Sequence, residues 1–337
     1  MTLDIQQQID RLRDAALGSD FDGILAVAEP KILESHDPSL LAQLGEVLRE
    51  KHLWEEAESV LDQAIAWEPR IPSLYQALAL LFLRRDDVPE IEAYGRARDL
   101  LVKCIKVEEA EDGPSPVTHS LLGKAYELLG DSDQARGEYE KALEIDGHYT
   151  EARYNLAVLV RDSDDSDEDF VTAQLMQCVL EDPEYFPALR DLGWQLVVAG
   201  QLSQAEGFLE RARAVDDIDV SLHVYLGQLE WARQNLPGAE EHFRMAVSLE
   251  PTEPSTHRLL GRFLRFNERS EDAGRELFSA IELDPTDLDS ISAFREFLNE
   301  LENQESATSI YESLKTSSVL SEATLLELDG SIKRKSA

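Results

Sequence analysis

The chain has 337 residues, with 32 lysines and arginines against 68 aspartates and glutamates, so its formal net charge is −36. A polyanion of this size repels phosphate backbones and anionic headgroups, which argues against nucleic acid or a membrane surface as a partner. Apolar residues make up 43%, which is enough for a buried core and argues against wholesale disorder. The densest apolar stretch, residues 78–83, is far shorter than the roughly 18 residues of a spanning helix.

The N-terminal residues 1–37 predict two helices. Residues 4–16 place apolar side chains on one face, and residues 20–35 form a second helix that is interrupted at Pro30. The start of the chain is amphipathic and charged, and it shows neither the apolar segment nor the cleavage site of a secretory signal.

Residues 38–287 carry an internal repeat. Glycines that follow a leucine stand at 193, 227 and 261, a step of 34 residues. Each is followed twelve residues later by an alanine and seven residues after that by another small residue. Earlier copies begin at Gly45 and Gly123, and two weaker copies span residues 78–104 and 156–178.

The spacing inside each unit indicates two helices. Within residues 120–129 the apolar side chains fall three and four residues apart, which is a helical period, and no window alternates with the period of a strand. The glycine and the first alanine are expected where the two helices approach closely, because larger side chains would force them apart.

These residues resemble the tetratricopeptide repeat, a 34-residue unit with W-x-x-L-G-x-x-Y, then A-x-x-x-F-x-x-A, then P. The assigned units are 38–71, 72–115, 116–149, 150–185, 186–219, 220–253 and 254–287. The resemblance implies an all-α fold, a right-handed α-solenoid of about seven to eight helix-turn-helix units with capping helices. The ends are assigned as capping helices at 1–37, a degenerate eighth unit at 288–321, and a closing helix with a loose tail at 322–337.

The resemblance implies a concave groove lined by the first helix of each unit. In the fifth to seventh units the lining positions hold arginines and aromatic residues, in contrast to the acidic chain. The predicted site consists of Arg190, Trp194, Tyr225, Gln228, Trp231, Arg258, Arg262, Arg265 and Phe266. The alternative is that these arginines only pair with nearby acids such as Glu230 or Glu268.

The function implied by the resemblance is protein–protein interaction without catalysis. The groove is expected to dock a partner peptide that is acidic or carboxylate-bearing and has an apolar anchor. One alternative is a self-assembling scaffold that binds basic partners on its acidic surface, and a second is a regulatory subunit of an enzyme complex. The acidity is either partner-selective or an adaptation to salt or solubility.

Catalytic, cofactor, metal and small-molecule sites are not expected, because no known catalytic or phosphate-binding motif occurs. His119, His223 and His257 share the fourth position of their units and are expected to pack half-buried, too far apart to share a metal. Cys104 and Cys178 stand where other units have the closing alanine, so they are expected to be buried thiols, not a disulfide. We therefore expect a cytoplasmic protein.

The acidic run at residues 162–169 is predicted to be a loop inserted in the fourth unit. It does not fit a calcium-binding loop, because its sixth residue is Asp167 instead of glycine and its twelfth is Ala173 instead of glutamate. Whether Ser163 or Ser166 is phosphorylated stays open.

Overall fold

The computed structural model describes residues 37–300 apart from 112 and 164–166, together with a few scattered residues before 37. Within these residues the chain forms only α-helices and turns, with no strand. The helices are α1 (Pro38–Glu50), α2 (Trp54–Trp67), α3 (Pro72–Phe82), α4 (Glu90–Ala110), α5 (Pro116–Leu128), α6 (Ser132–Ile145), α7 (Thr150–Arg161), α8 (Glu168–Glu181), α9 (Phe186–Val198), α10 (Leu202–Val215), α11 (Val220–Ala232), α12 (Leu236–Leu249), α13 (Pro254–Phe266), α14 (Ser270–Leu283) and α15 (Leu288–Glu300). The predicted all-α fold is confirmed.

The chain divides into two compact halves, residues 1–182 and residues 183–337. In the first half, α1 packs on α2, α3 on α4, α5 on α6, and α7 on α8. In the second half, α9 packs on α10, α11 on α12, and α13 on α14, while α15 covers α13 and α14. Each half therefore consists of antiparallel helix pairs that contact the next pair along the chain, as expected for stacked repeats. None of the described helices is long and apolar enough to cross a membrane.

The helices begin and end at residues suited to those positions. Proline stands at the start of α1, α3, α5 and α13, where its missing N–H costs little. The turn between the two helices of a unit takes a left-handed residue, which is glycine at Gly130 and Gly200. Gln234 and Glu268 adopt the same left-handed conformation without the freedom of glycine. Helix ends of this type satisfy the last carbonyls of the first helix.

In the five units that have a glycine after the leucine, the two helices approach closely at that glycine, as predicted. A Cβ atom on Gly193 would lie 2.6 Å from Cγ and Cδ2 of Leu209, a residue sixteen positions later on α10. The equivalent contact joins Gly227 to Phe243. Glycine is therefore required at these positions because the facing side chain occupies the space that a Cβ would need.

Several predictions concern residues outside the described part of the chain. Most of the capping helices at 1–37, the second half of the eighth unit, and the closing helix and tail at 322–337 lie there, as does Ser166. Ile9 and Ile32 are described, and both are buried in the core of the first half. The boundaries of the individual units stay predictions.

Candidate partner-binding surface

Two aromatic residues of the predicted site stack across neighbouring first helices. Trp194 on α9 and Tyr225 on α11 have ring centroids 5.0 Å apart, and their planes are inclined by only 12°. Both side chains are half-buried. The pair joins the first helices of the fifth and sixth units.

A second aromatic contact joins the first helices of the sixth and seventh units. The ring of Trp231 meets Phe263 and Phe266 of α13 edge to face, each with a centroid separation of 5.4 Å. Phe263 is buried, whereas Phe266 is 69% exposed. Trp231 and Phe266 therefore present apolar surface to solvent next to the buried core.

The guanidinium groups of Arg190 and Arg258 are held in ion pairs within the chain. Arg190 donates from Nη1 to Oδ2 of Asp219 at 3.2 Å, and Arg258 donates from Nη1 to Oδ2 of Asp287 at 2.5 Å. Arg190 also binds the buried carboxylate of Asp191. In each case a first helix is tied to the last residue of its own unit, 29 positions on. We call Arg190–Asp219 and Arg258–Asp287 the bridging pairs.

The carboxylates of the bridging pairs also organise the helix that follows them. Asp219 accepts a hydrogen bond from the Leu222 amide and so caps the start of α11. Asp287 accepts from both the amide and the hydroxyl of Ser290. Although burial raises the pKa of Asp287, the hydrogen bonds of Ser290 and the attraction of Arg258 hold it below its ordinary value. These arginines therefore connect each unit to the next.

The remaining arginines differ from each other in their partners. Arg265 binds Glu296 at 3.2 Å and Glu300 at 3.4 Å, both on α15. Arg262 is exposed, and within the described residues it forms no ion pair. Of the predicted cluster of arginines, Arg262 is thus the member without a carboxylate in the described part of the chain.

The acids suggested as partners by the sequence were wrong. Glu230 accepts hydrogen bonds from Arg233 and Asn235, and Glu268 forms no ion pair with the site arginines. Apart from Asp191, which directly follows Arg190, the partners of the site arginines lie 29 to 35 residues away in the sequence, where helix packing brings them close. Gln228 was predicted to face the groove, but its side-chain Oε1 is buried and has no hydrogen-bond partner among the described residues.

Comparison with known proteins identifies the family. Two family models of the tetratricopeptide repeat match residues 116–149 and 190–255. The first span holds the helix pair α5 and α6, and the second runs from within α9 to the start of α13. The chain contains tetratricopeptide repeats.

Several solved structures share the fold. A chain of the APC/C hetero-tetramer Cut9-Hcn1 matches with a TM-score of 0.59 and 15% identity, covering 97% of this chain and 62% of that one. Pseudomonas aeruginosa pilF matches with a TM-score of 0.55 and 17% identity, over 68% of this chain and 97% of that one. A tetratricopeptide repeat protein from Parabacteroides merdae ATCC 43184 matches with a TM-score of 0.54 and 15% identity, covering 77% of this chain and 98% of that one. At these identities the likeness shows the fold alone. A search of curated proteins finds no match.

The histidines of this tetratricopeptide protein bind the second helix of their own units. Nδ1 of His119 lies 2.7 Å from Oε2 of Glu138, and Nδ1 of His257 lies 2.8 Å from Oε2 of Glu276. Each partner stands nineteen residues after its histidine. The histidines therefore pack as expected, at 8% exposure for His119, and their carboxylate partners were not foreseen.

In the sixth unit the equivalent partner is a second histidine. Nδ1 of His223 lies 3.1 Å from Nδ1 of His242, and Nε2 of His223 lies 2.8 Å from the carbonyl oxygen of Asp217. Burial and the neighbouring His223 hold the pKa of His242 below its ordinary value. The described residues contain no group of three or more side chains that could hold a metal ion.

Both cysteines are buried and free, as the sequence indicated. Burial raises the pKa of Cys104 and of Cys178 to about 12. At neutral pH both are therefore protonated thiols that pack as small apolar residues and are poor nucleophiles.

Proposed function

We propose that this protein is a non-enzymatic scaffold that docks a partner peptide on the first helices of its fifth to seventh units, α9, α11 and α13. Tetratricopeptide repeats are protein–protein interaction modules, and this chain has the fold. The observation that carries the proposal is the exposed pair Arg262 and Phe266, one helical turn apart on α13, with the ring of Phe266 against that of Trp231.

The chemistry of this pair fits a peptide with a carboxylate and an apolar anchor. Arg262 and Phe266 are four residues apart and so lie on one helix face. A guanidinium binds a carboxylate with two parallel hydrogen bonds, while Phe266 and Trp231 offer the flat apolar surface common in binding hot spots. Because Arg190, Arg258 and Arg265 are already paired, the preference for an acidic residue depends on Arg262.

The proposal is tested by selecting peptides from a random displayed library on the full chain and titrating one by calorimetry. We expect the selected peptides to combine an acidic group with a large apolar residue. Arg262→Ala should weaken binding by about 1–3 kcal/mol, the value of a hydrogen bond to a charged group. Phe266→Ala should weaken it by a similar amount through lost apolar contact.

Matched controls separate the surface from general effects. Arg275→Ala removes another exposed arginine, on α14, with 75% of its side chain accessible. Leu180→Ala removes an apolar side chain as exposed as Phe266, at 69%. Both should bind like the wild type. Selected peptides that bind all four variants equally would contradict the proposal.

A second candidate function is self-assembly, with basic partners bound on the acidic surface. The net charge of −36 favours the binding of basic partners on exposed faces, whereas the same charge opposes association between copies of the chain. Light scattering across a concentration series tests it, since a self-assembling chain changes mass with concentration. No particular feature of the structure favours a regulatory subunit of an enzyme.

We also propose a cytoplasmic location. The support is the pair of buried free thiols at Cys104 and Cys178, since a reducing compartment keeps cysteines in this form.

A further inference from the structure

The sixth unit lacks one member of the ion pair that its two neighbours possess. The bridging pairs of the fifth and seventh units join an arginine at the fifth position to a carboxylate at the last position. A step of 34 residues from the first bridging pair, or back from the second, leads to Val224 and Glu253. The carboxylate is therefore retained in the sixth unit, and the arginine is replaced by an aliphatic residue.

Glu253 has a free oxygen as a result. Its Oε1 accepts a hydrogen bond from the Ser255 amide. Among the described residues, its Oε2 has no hydrogen-bond partner and the carboxylate forms no ion pair. The group thus keeps its capping contact at the start of α13 and lacks the charge that accompanies this contact in the neighbouring units.

A pocket opens at the place of the missing arginine. It has a volume of about 560 Å³ and lies between α11 and α13. Val224 and Tyr225 line one wall and Leu259 the other, and Glu253 and Glu250 contribute carboxylates. None of the described residues that line it is basic. Substituting valine for arginine has thus left both a space and an uncompensated charge.

The neighbouring units show what such a space accommodates. In the bridging pairs only 20% and 18% of the arginine side chains are accessible, and only 24% and 21% of the carboxylates. Partial exclusion of water strengthens charge-assisted hydrogen bonds. A guanidinium in the pocket of the sixth unit would find a carboxylate at the same position of the unit, the half-buried Glu253.

We propose that this pocket binds the guanidinium of an arginine side chain supplied by the docked partner. The partner would complete in the sixth unit the ion pair that the chain itself makes in the fifth and seventh. Tyr225 would add a flat wall against which the planar guanidinium packs. The inference rests on the proposed function, because the pocket lies on the same helices as Arg262 and Phe266, and it adds a basic residue to the peptide they bind.

The test uses two probes that differ only in charge. N-acetyl-arginine amide and its neutral analogue N-acetyl-citrulline amide are titrated into the full chain with ¹³C-labelled valine and leucine methyls. We expect the arginine probe to give saturable shifts at Val224 and Leu259. The citrulline probe should bind at least about tenfold more weakly, a difference of about 1.4 kcal/mol.

Two variants test the pocket, one by removing its charge and the other by filling it. Glu253→Gln keeps its shape and removes the charge, so the arginine probe should lose about tenfold in affinity, while the exposed control Glu282→Gln should not change it. Val224→Arg should supply the missing arginine internally, which raises the melting temperature and abolishes probe binding, followed at Leu259. If Val224→Arg does not fold, Glu253→Gln still decides the question.

The results distinguish this inference from the proposed function. Equal binding of citrulline, or unchanged binding to Glu253→Gln, would overturn the pocket. If selected peptides still depend on Arg262 and Phe266, the proposed function survives that result. If the arginine probe binds as expected and no peptide depends on Arg262 or Phe266, the pocket stands and the proposed docking surface fails.

Discussion

At the scale of single residues, the histidine at the fourth position of a unit has a different hydrogen-bond partner in the sixth unit than in the third and seventh. His119 and His257 each face a glutamate on the second helix, which accepts a hydrogen bond whether the histidine is neutral or charged. His223 faces His242, and a hydrogen bond between their Nδ1 atoms requires one of the two to donate and the other to accept. A proton added to His242 therefore meets a second imidazole where the other units have a carboxylate.

We predict that the sixth unit loses stability in mild acid. The pKa of His242 lies below its ordinary value of about 6.5, so between the two values the unfolded chain binds more protons than the folded one. The stability from this group is intact above about pH 6.5 and is lost as the pH falls through the folded pKa. Denaturant titration at pH 7.5, 6.5 and 5.5 measures it, at about 1.4 kcal/mol for each unit of pKa shift.

His242→Glu is the matched variant, since it recreates the histidine–glutamate pair of the third and seventh units. The loss between pH 7.5 and 5.5 should disappear in this variant. Carboxylates such as Glu138, whose pKa is held low by His119 and Lys141 against the effect of burial, titrate at lower pH. An identical pH dependence in the wild type and the variant would show that His242 does not cause the loss.

At the scale of helices, the pairing of α9 with α10 depends on the small residue at their crossing. We predict that Gly193→Leu destabilises the protein by about 1–3 kcal/mol, the usual cost of overpacking a core. The reason is that a Cβ at Gly193 already lies 2.6 Å from Leu209. The shift of the urea midpoint at constant slope measures the effect.

Gly207→Leu provides the same substitution without the contact. Gly207 lies on α10, and a Cβ there would meet nothing within 4 Å. This variant should be neutral or stabilised by up to about 1 kcal/mol, because leucine has the higher helix propensity. Equal destabilisation by both substitutions would mean that Gly193 is not at the crossing.

At the scale of the whole molecule, the excess of acids governs stability and partner choice together. Many arginines are held in ion pairs, such as Arg85 with Glu58 and Arg269 with Glu240, yet the net charge remains −36. Unpaired carboxylates therefore repel one another across the surface. This repulsion favours the unfolded chain, in which the charges are farther apart.

We predict that added salt raises the melting temperature. Increasing NaCl from about 0.01 M to about 0.1 M shortens the screening length from about 30 Å to about 10 Å, which weakens the repulsion more than the short ion pairs. Scanning calorimetry measures the change, and tetramethylammonium chloride serves as the control for specific sodium binding. A melting temperature that falls with both salts would show that ion pairs outweigh the repulsion.

Within residues 38–287 the sequence by itself was sufficient for the all-helical fold and for the small residues at the helix crossings. Residues such as Gly193 and Ala205 recur at 34-residue steps because each unit has to satisfy the same helix crossing, so spacing reports the contact. The placement of Trp194 and Tyr225 on first helices follows from the same periodicity. Spacing alone identified these features because they are local to one unit.

Only the tertiary structure decided which arginines are already held in ion pairs within the chain. Arg258 and Arg262 stand on one helix and look equivalent in the sequence, yet Arg258 binds Asp287, whereas Arg262 is exposed. Likewise, only the structure shows that Val224 and Glu253 line an open pocket, at the position where the neighbouring units have an arginine. An ion pair depends on the distance between side chains that packing brings together from 29 residues apart, and the composition of one helix face carries no information about that distance.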